Sequence, residues 1–479
     1  MKKNVSRSSR ELVVRIAVPV LFAALCVLTA LTIFTISWSS TGAGGGFDLA
    51  GLTNEARRDD ADVSGYLLPE FIGITVDGTR RGISVSANVV AELYDILTPT
   101  LRSAFSSAEP QADTVWEEYT AARNSVYIKY HSELPDGILA LFAGMAQEGR
   151  ETSVTFDGNV RELFILPPSS VSSETQLVTR SDLGDVKKYV IPSRKAAVSA
   201  DELERFVRFY GSGMSEFHFN EGRYPNLAWT EPVYTEALQT RKLLMTDRTA
   251  VLIQNSAEEK EAVLRLFGLN PDKLLNVHEE EDGSSSYYDT HGILYFRASS
   301  IEYLRSSADS GVSVSEILGT AFPEDNPSEM LKAYIRTAVL LYEKVAAVNP
   351  VYSGGEADIL LRSVTSENGE VTLRFMYAVG NVPISDEQDA YRITFADGRI
   401  RHAVLHTVAV RVLADRETSY TEWWFASKLG RFSSDVRLVY RSDYLSESVA
   451  AEWAAEELIF PEADTDRNMN PEEEEEYGK

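Results

Sequence analysis

The chain has 479 residues, a formal net charge of −26 and one cysteine. The excess of Asp and Glu disfavours binding to nucleic acids and to anionic lipid headgroups, because both are negatively charged. A single cysteine excludes a disulfide within the chain, whereas animal secreted domains of this size usually carry such bonds. The composition therefore favours a bacterial surface protein that is stabilised by its apolar core.

The run from Ile16 to Trp38 contains no charged residue and is long enough to cross a bilayer, which takes about 20 apolar residues in a helix. Five basic residues precede it, and the next positive charge is Arg57. This bias predicts a cytoplasmic N-terminus, an extracytoplasmic remainder and a single-pass protein of the cell membrane. A cleaved signal peptide, cut near Ala43, is the alternative, although its apolar region would span only about 7–15 residues.

The predicted span also offers small side chains to its surroundings. Ala23, Ala24 and Ala30 are candidate contacts with helices of a partner, because small residues allow helix backbones to approach closely in lipid.

Four Asp-Gly or Asn-Gly pairs separate runs of alternating apolar residues in the rest of the chain. Such pairs supply the positive φ angles of tight hairpin turns and so predict antiparallel strands on either side. The pairs lie at 77–78, 157–158, 368–369 and 397–398, with a weaker fifth at 282–283.

Apolar residues at helical spacing predict helices between these hairpins. Ser256 and Glu259 match a capping box that would open one of them, and Gly268 would end it. The predicted helices are 87–105, 200–210, 256–267, 328–348 and 446–458. Hairpins mixed with helices, without a βαβ rhythm, predict the α+β class.

We therefore expect a single N-terminal transmembrane helix followed by a multi-domain ectodomain of antiparallel hairpins and packed helices. The predicted segments are a cytoplasmic tail (1–15), the transmembrane helix (16–38), a flexible linker (39–65), three ectodomain regions (66–195, 196–350 and 351–460) and a disordered acidic tail (461–479).

No pattern assembles a catalytic, cofactor or metal site. None of the six histidines belongs to a His-Glu-x-x-His motif, and a Gly-x-Ser-x-Gly nucleophile elbow is also missing. His402 and His406 fall on one face of a predicted strand, where solvent exposure is more typical than metal binding. We predict a non-enzymatic protein without cofactor or metal. Paired carboxylates of a glycoside hydrolase stay an open alternative, since their separation is not visible in a sequence.

The segment 420–425 is rich in aromatic residues. Tyr420, Trp423 and Trp424 are candidate interface residues, because aromatic side chains are enriched at interface cores and also stack on sugars. The alternative, which we favour from the sequence alone, is a helix or strand that packs these side chains inside the protein.

Three segments, 127–144, 371–404 and 436–457, carry a resemblance in layout. Together with the basic tail and the single span, their order of strands, turns and helices resembles the YycH/YycI group of Firmicutes, membrane-anchored regulators of a cell-wall sensor histidine kinase. The resemblance implies a non-enzymatic regulator with two partners. Its span would pack against the transmembrane helices of the kinase, and its ectodomain would bind a related regulatory protein. The alternatives are an extracytoplasmic cell-wall hydrolase and a structural envelope or sporulation protein.

Overall fold

The structure, a computed structural model, describes part of the chain. The described residues are 63–107, 115–142, 159–168, 174–191, 198–246, 256–281, 283–297, 299–308, 310–349, 352, 354–385, 389–429, 433, 436–441 and 448–455. The predicted transmembrane helix with Ala23, Ala24 and Ala30, the cytoplasmic tail, most of the linker and the acidic tail lie outside them. No helix within the described ranges is both long and apolar enough to cross a membrane.

The described residues belong to one compact unit, Asp62–Lys479, and fold as α+β with mostly antiparallel sheets, as the sequence predicts. The helices are α1 (Ala87–Ser107), α2 (Asp136–Phe142), α3 (Ala200–Tyr210), α4 (Ala257–Leu266), α5 (Val314–Leu318), α6 (Pro327–Val348) and α7 (Glu422–Lys428). The strands are β1 (Phe71–Val76), β2 (Thr79–Ile83), β3 (Ser125–Pro135), β4 (Asn159–Leu166), β5 (Thr175–Arg180), β6 (Val186–Ile191), β7 (Ser215–Phe219), β8 (Pro232–Tyr234), β9 (Gln239–Thr246), β10 (Asn276–Glu279), β11 (Ser285–Tyr288), β12 (Gly292–Phe296), β13 (Ser300–Arg305), β14 (Asp358–Glu367), β15 (Glu370–Val379), β16 (Val382–Ser385), β17 (Tyr391–Ala396), β18 (Arg399–His406), β19 (Ala409–Thr418), β20 (Val436–Arg441) and β21 (Ala451–Ala455).

Two large sheets and a two-stranded ribbon organise these strands. The first sheet has the order β6-β5-β4-β3-β1-β2-β7-β8, and the second runs β10-β11-β12-β13-β18-β17-β15-β16-β20-β21, with β14 paired to β15. The ribbon consists of β9 and β19. Strands β7 and β8 follow the predicted boundary at 195/196 but share a sheet with β1 to β6. The division into three regions stays a prediction, since sheet membership alone does not define a folding unit.

The predicted hairpin turns form where the structure describes them. At 77–78, 368–369 and 397–398 both residues have positive φ, and each pair joins antiparallel neighbours. The pair at 157–158 lies outside the described residues. The capping box of Ser256 and Glu259 also opens α4 as predicted.

The predicted helix over 446–458 is wrong where the structure describes it. Strand β21 pairs antiparallel with β20 and brings Trp453 opposite Leu438. Ala and Glu favour a helix locally, but strand pairing at the edge of the second sheet buries Trp453 and so outweighs that propensity.

The two sheets meet at the turn between β15 and β16. Asn381 in this turn has φ of 75°, and its Nδ2 donates hydrogen bonds to the carbonyl oxygens of Pro69 (2.8 Å) and Ser84 (3.0 Å). These two residues flank the β1–β2 hairpin of the first sheet. The side chain of Asn381 therefore fixes the second sheet against the first.

Candidate functional site

A cluster of buried charged side chains lies where the two sheets meet. No member is more than 8% exposed. The buried charge cluster comprises Glu70, Lys129, Arg161, Glu231, Glu422 and Arg437. All of them except Arg161 line a cavity of about 30 Å³.

Lys129 and Glu231 form the tightest pair in this cluster. Strand β3 carries Lys129, and Glu231 immediately precedes β8. Nζ lies 2.5 Å from Oε1, and both side chains are at most 3% exposed. Removing two charges from water is costly, so such a pair persists only with good mutual geometry.

Glu70 lies between two arginines. Its Oε2 is 3.7 Å from Arg161 of β4 and 3.8 Å from Arg437 of β20. Arg437 also donates a hydrogen bond of 2.9 Å to the carbonyl oxygen of His131 in β3. The cluster thus connects the two sheets by charge as well as by the turn at Asn381.

Glu422, the first residue of α7, differs from the other two carboxylates. Its Oε2 accepts a hydrogen bond of 2.7 Å from the backbone N–H of Tyr234, but within the described residues it forms no ion pair. Burial raises the pKa of Glu422 well above its usual range, and the charges of Glu231 and Glu70 act in the same direction. The N–H of Tyr234 and the charge of Lys129 oppose this shift without cancelling it. The site therefore favours the protonated form of Glu422.

Converging carboxyl groups, one of them with a raised pKa, are also a feature of acid–base active sites. The cavity among these carboxyl groups is small, however. Ligand pockets usually measure about 300–1,000 Å³. At about 30 Å³, the cavity has room for one or two water molecules, since one water needs roughly 10–15 Å³.

The predicted interface aromatics lie on the surface of the same region. Tyr420, Trp423 and Trp424 are 74%, 43% and 42% exposed, so the expected placement inside the protein is wrong for these side chains. The rings of Tyr420 and Trp424 stack with centroids 5.1 Å apart and planes at 26°. We call these three side chains the aromatic patch.

The aromatic patch and the buried charge cluster share a scaffold. On α7, Glu422 and Ala426 face inward at helical spacing, which leaves Trp423 and Trp424 on the outer side. The indole N–H of Trp453, which lines the cavity, donates a 2.7 Å hydrogen bond to the carbonyl oxygen of Tyr420. The segment that carries the patch is therefore connected to the cavity wall at Tyr420 and at Glu422.

His402 and His406, the two histidines of β18, are both half-buried. Nε2 of His402 lies 3.1 Å from Oε1 of Glu302 on β13, and Arg297 pairs with the same carboxylate at 2.9 Å. In the part of the chain that the structure describes, no group of three His, Cys, Asp or Glu is arranged to hold a metal ion.

The buried charge cluster was not predicted from the sequence, although a signal was present. Lys129 interrupts the run VYIKY, and Arg437 interrupts VRLVY. A charged residue inside an apolar strand indicates a buried partner of opposite charge, because an unpaired buried charge is too costly to keep.

Comparison of the chain with protein-family models, with curated proteins and with solved structures finds no match in any of the three.

Proposed function

We propose that the protein is a non-enzymatic, membrane-anchored extracytoplasmic regulator that acts on a sensor histidine kinase through protein–protein contacts. The aromatic patch is the observation that carries this proposal. Tyr and Trp dominate the binding energy of many protein interfaces, and here three such side chains stand exposed on a helix held from beneath by Glu422. The resemblance to the YycH/YycI group supplies the kinase and a related regulatory protein as partners.

The small cavity supports a binding role over a catalytic one. A cell-wall hydrolase would need a cleft that admits a glycan or a peptide, whereas the carboxylates of this cluster surround space for water alone. In this proposal the buried charge cluster orders the surface above it, and the reactive groups of the kinase perform the chemistry.

Anchoring through 16–38 is part of the proposal. The length of this run and the basic residues before it favour an uncleaved helix with the N-terminus in the cytoplasm. In the membrane, Ala23, Ala24 and Ala30 would let a kinase helix approach closely. We expect alkaline phosphatase fused after Lys479 to be active and bound to the membrane. Phosphatase activity in the medium would show instead that the segment is a cleaved signal peptide.

The contact surface itself can be tested by photocrosslinking in living cells. A photoreactive amino acid in place of Trp423 should crosslink the chain to a sensor histidine kinase, identified by mass spectrometry. Phe209 on α3 is the matched control, since it is an aromatic residue that is 78% exposed and lies outside the patch. We expect the crosslink from position 423 and not from position 209.

Other outcomes of this experiment would contradict the proposal. Equal crosslinking from both positions would indicate nonspecific proximity. Crosslinks from position 423 to envelope structural proteins alone would favour the structural alternative. Crosslinks to glycan strands, together with their cleavage by the purified chain, would favour the hydrolase.

A further inference from the structure

We infer that proton binding by Glu422 controls the position of the aromatic patch: the neutral carboxyl holds α7 in place, and ionisation of this carboxyl releases it. This inference rests on the proposed function in one respect only, namely that the aromatic patch binds a partner. The coupling itself follows from how Glu422 is surrounded.

The cations of the cluster already have partners. Lys129 engages Glu231, and Arg161 and Arg437 lie on either side of Glu70. Glu422 is held by one backbone N–H from Tyr234 and has no ion pair among the described residues.

The groups that face Glu422 come from every element around it. They are Glu70 before β1, Lys129 of β3, Tyr224 and Glu231 from the segment before β8, Tyr234 of β8 and Arg437 of β20. Two of these groups are carboxylates that repel a third negative charge. The nearest cations are already engaged, so an ionised Glu422 would be a buried charge without its own counterion.

The position of Glu422 in the chain couples its carboxyl group to the aromatic patch. It is the first residue of a seven-residue helix, and Trp423 and Trp424 follow directly. An ionised Glu422 avoids the cost of a buried charge most simply by moving to water. Because Glu422 begins α7, this movement must carry the first turn of the helix with it. The stacked rings of Tyr420 and Trp424 would then separate. Tyr420 precedes Glu422 and is hydrogen-bonded to Trp453, whereas Trp424 belongs to the turn that moves.

The direction of the pH dependence follows from linkage. Burial raises the pKa of Glu422 in the folded protein, whereas the unfolded chain keeps a value close to 4.5. Between these two values the folded state binds more protons than the unfolded state. The contribution of Glu422 to stability is therefore complete below the unfolded value and is lost as pH rises toward the folded value.

The test follows Trp423 and Trp424 by fluorine NMR of the full-length chain in detergent, with fluorotryptophan at all six tryptophans. Spectra of Trp423→Phe and Trp424→Phe assign the two resonances. As pH rises from about 5 to 9, we expect both resonances to move in one titration step. The resonance of Trp116, which is buried against Phe164 of the first sheet, should stay constant.

Substitution isolates the group responsible. Glu422→Gln keeps the acceptor for the N–H of Tyr234 but cannot ionise, so the titration step should disappear. Glu204→Gln on the exposed face of α3 should keep it. Should Glu422→Gln fail to fold, the wild-type titration still decides: unmoved resonances of Trp423 and Trp424 over this range overturn the inference. So does an unchanged step in folded Glu422→Gln. The titration is carried out without a partner protein. The absence of a crosslink from position 423 would therefore refute the proposed function but would leave the inference about Glu422 unaffected.

Discussion

Replacing Lys129 with methionine should lower the free energy of unfolding of the full-length chain by about 3–5 kcal/mol, measured by urea denaturation in detergent. The variant keeps the apolar stem of the side chain but leaves Glu231 without the cation 2.5 Å from its carboxylate. Bulk water cannot replace that cation, because Glu231 is only 1% exposed and the cavity beside it has room for only one or two water molecules. The cost is therefore that of an uncompensated buried charge.

Two further variants separate this cost from a general effect of losing a lysine or arginine. Lys129→Met combined with Glu231→Gln should recover a large part of the loss, since the neutral amide needs no counterion. Arg265→Met removes an exposed partner of Glu261 and should change the unfolding midpoint little, because water screens that pair. Equal destabilisation by Lys129→Met and Arg265→Met would show that the buried pair has no special role.

The local features of the fold could be predicted from the sequence because short segments determine them. An Asp-Gly or Asn-Gly pair accepts positive φ at both positions, so the turns at Asp77 and Asn368 form whatever surrounds them. A capping box is likewise complete within four residues, as at Ser256.

The features that were missed depend on contacts between distant parts of the chain. Trp453 lies in a strand because β20 is available to pair with it, although the residues around it favour a helix. Lys129 and Glu231 are 102 residues apart, so no local pattern shows that they meet. The inward placement of Glu422 is equally nonlocal, because it depends on the backbone N–H of Tyr234.

The aromatic segment shows why the candidate site could be only half predicted. Its composition indicates large contact areas, but the same composition suits a protein core. Which side faces water is decided by Glu422, whose carboxyl enters the cavity and leaves Trp423 and Trp424 outside. The sequence thus identified the aromatic residues but not which side of the segment faces water.

Simultaneous replacement of Trp423 and Trp424 with alanine should weaken binding to the kinase strongly without unfolding the chain. Truncating one interface hot spot costs about 2 kcal/mol or more, and about 1.4 kcal/mol corresponds to a factor of ten, so the double variant should bind at least about 100-fold more weakly. The fold should tolerate the change, because both side chains are more than 40% exposed and the buried residues of α7 are kept.

The affinity of the full-length chain for the purified kinase, both in detergent, tests the proposed function most directly. We predict tight binding by the wild type and by Phe209→Ala, which truncates a more exposed aromatic residue outside the patch. The double tryptophan variant should lose at least about 100-fold in affinity. Wild-type affinity in a correctly folded double variant would contradict the account, because the contact with the kinase would then lie outside the aromatic patch.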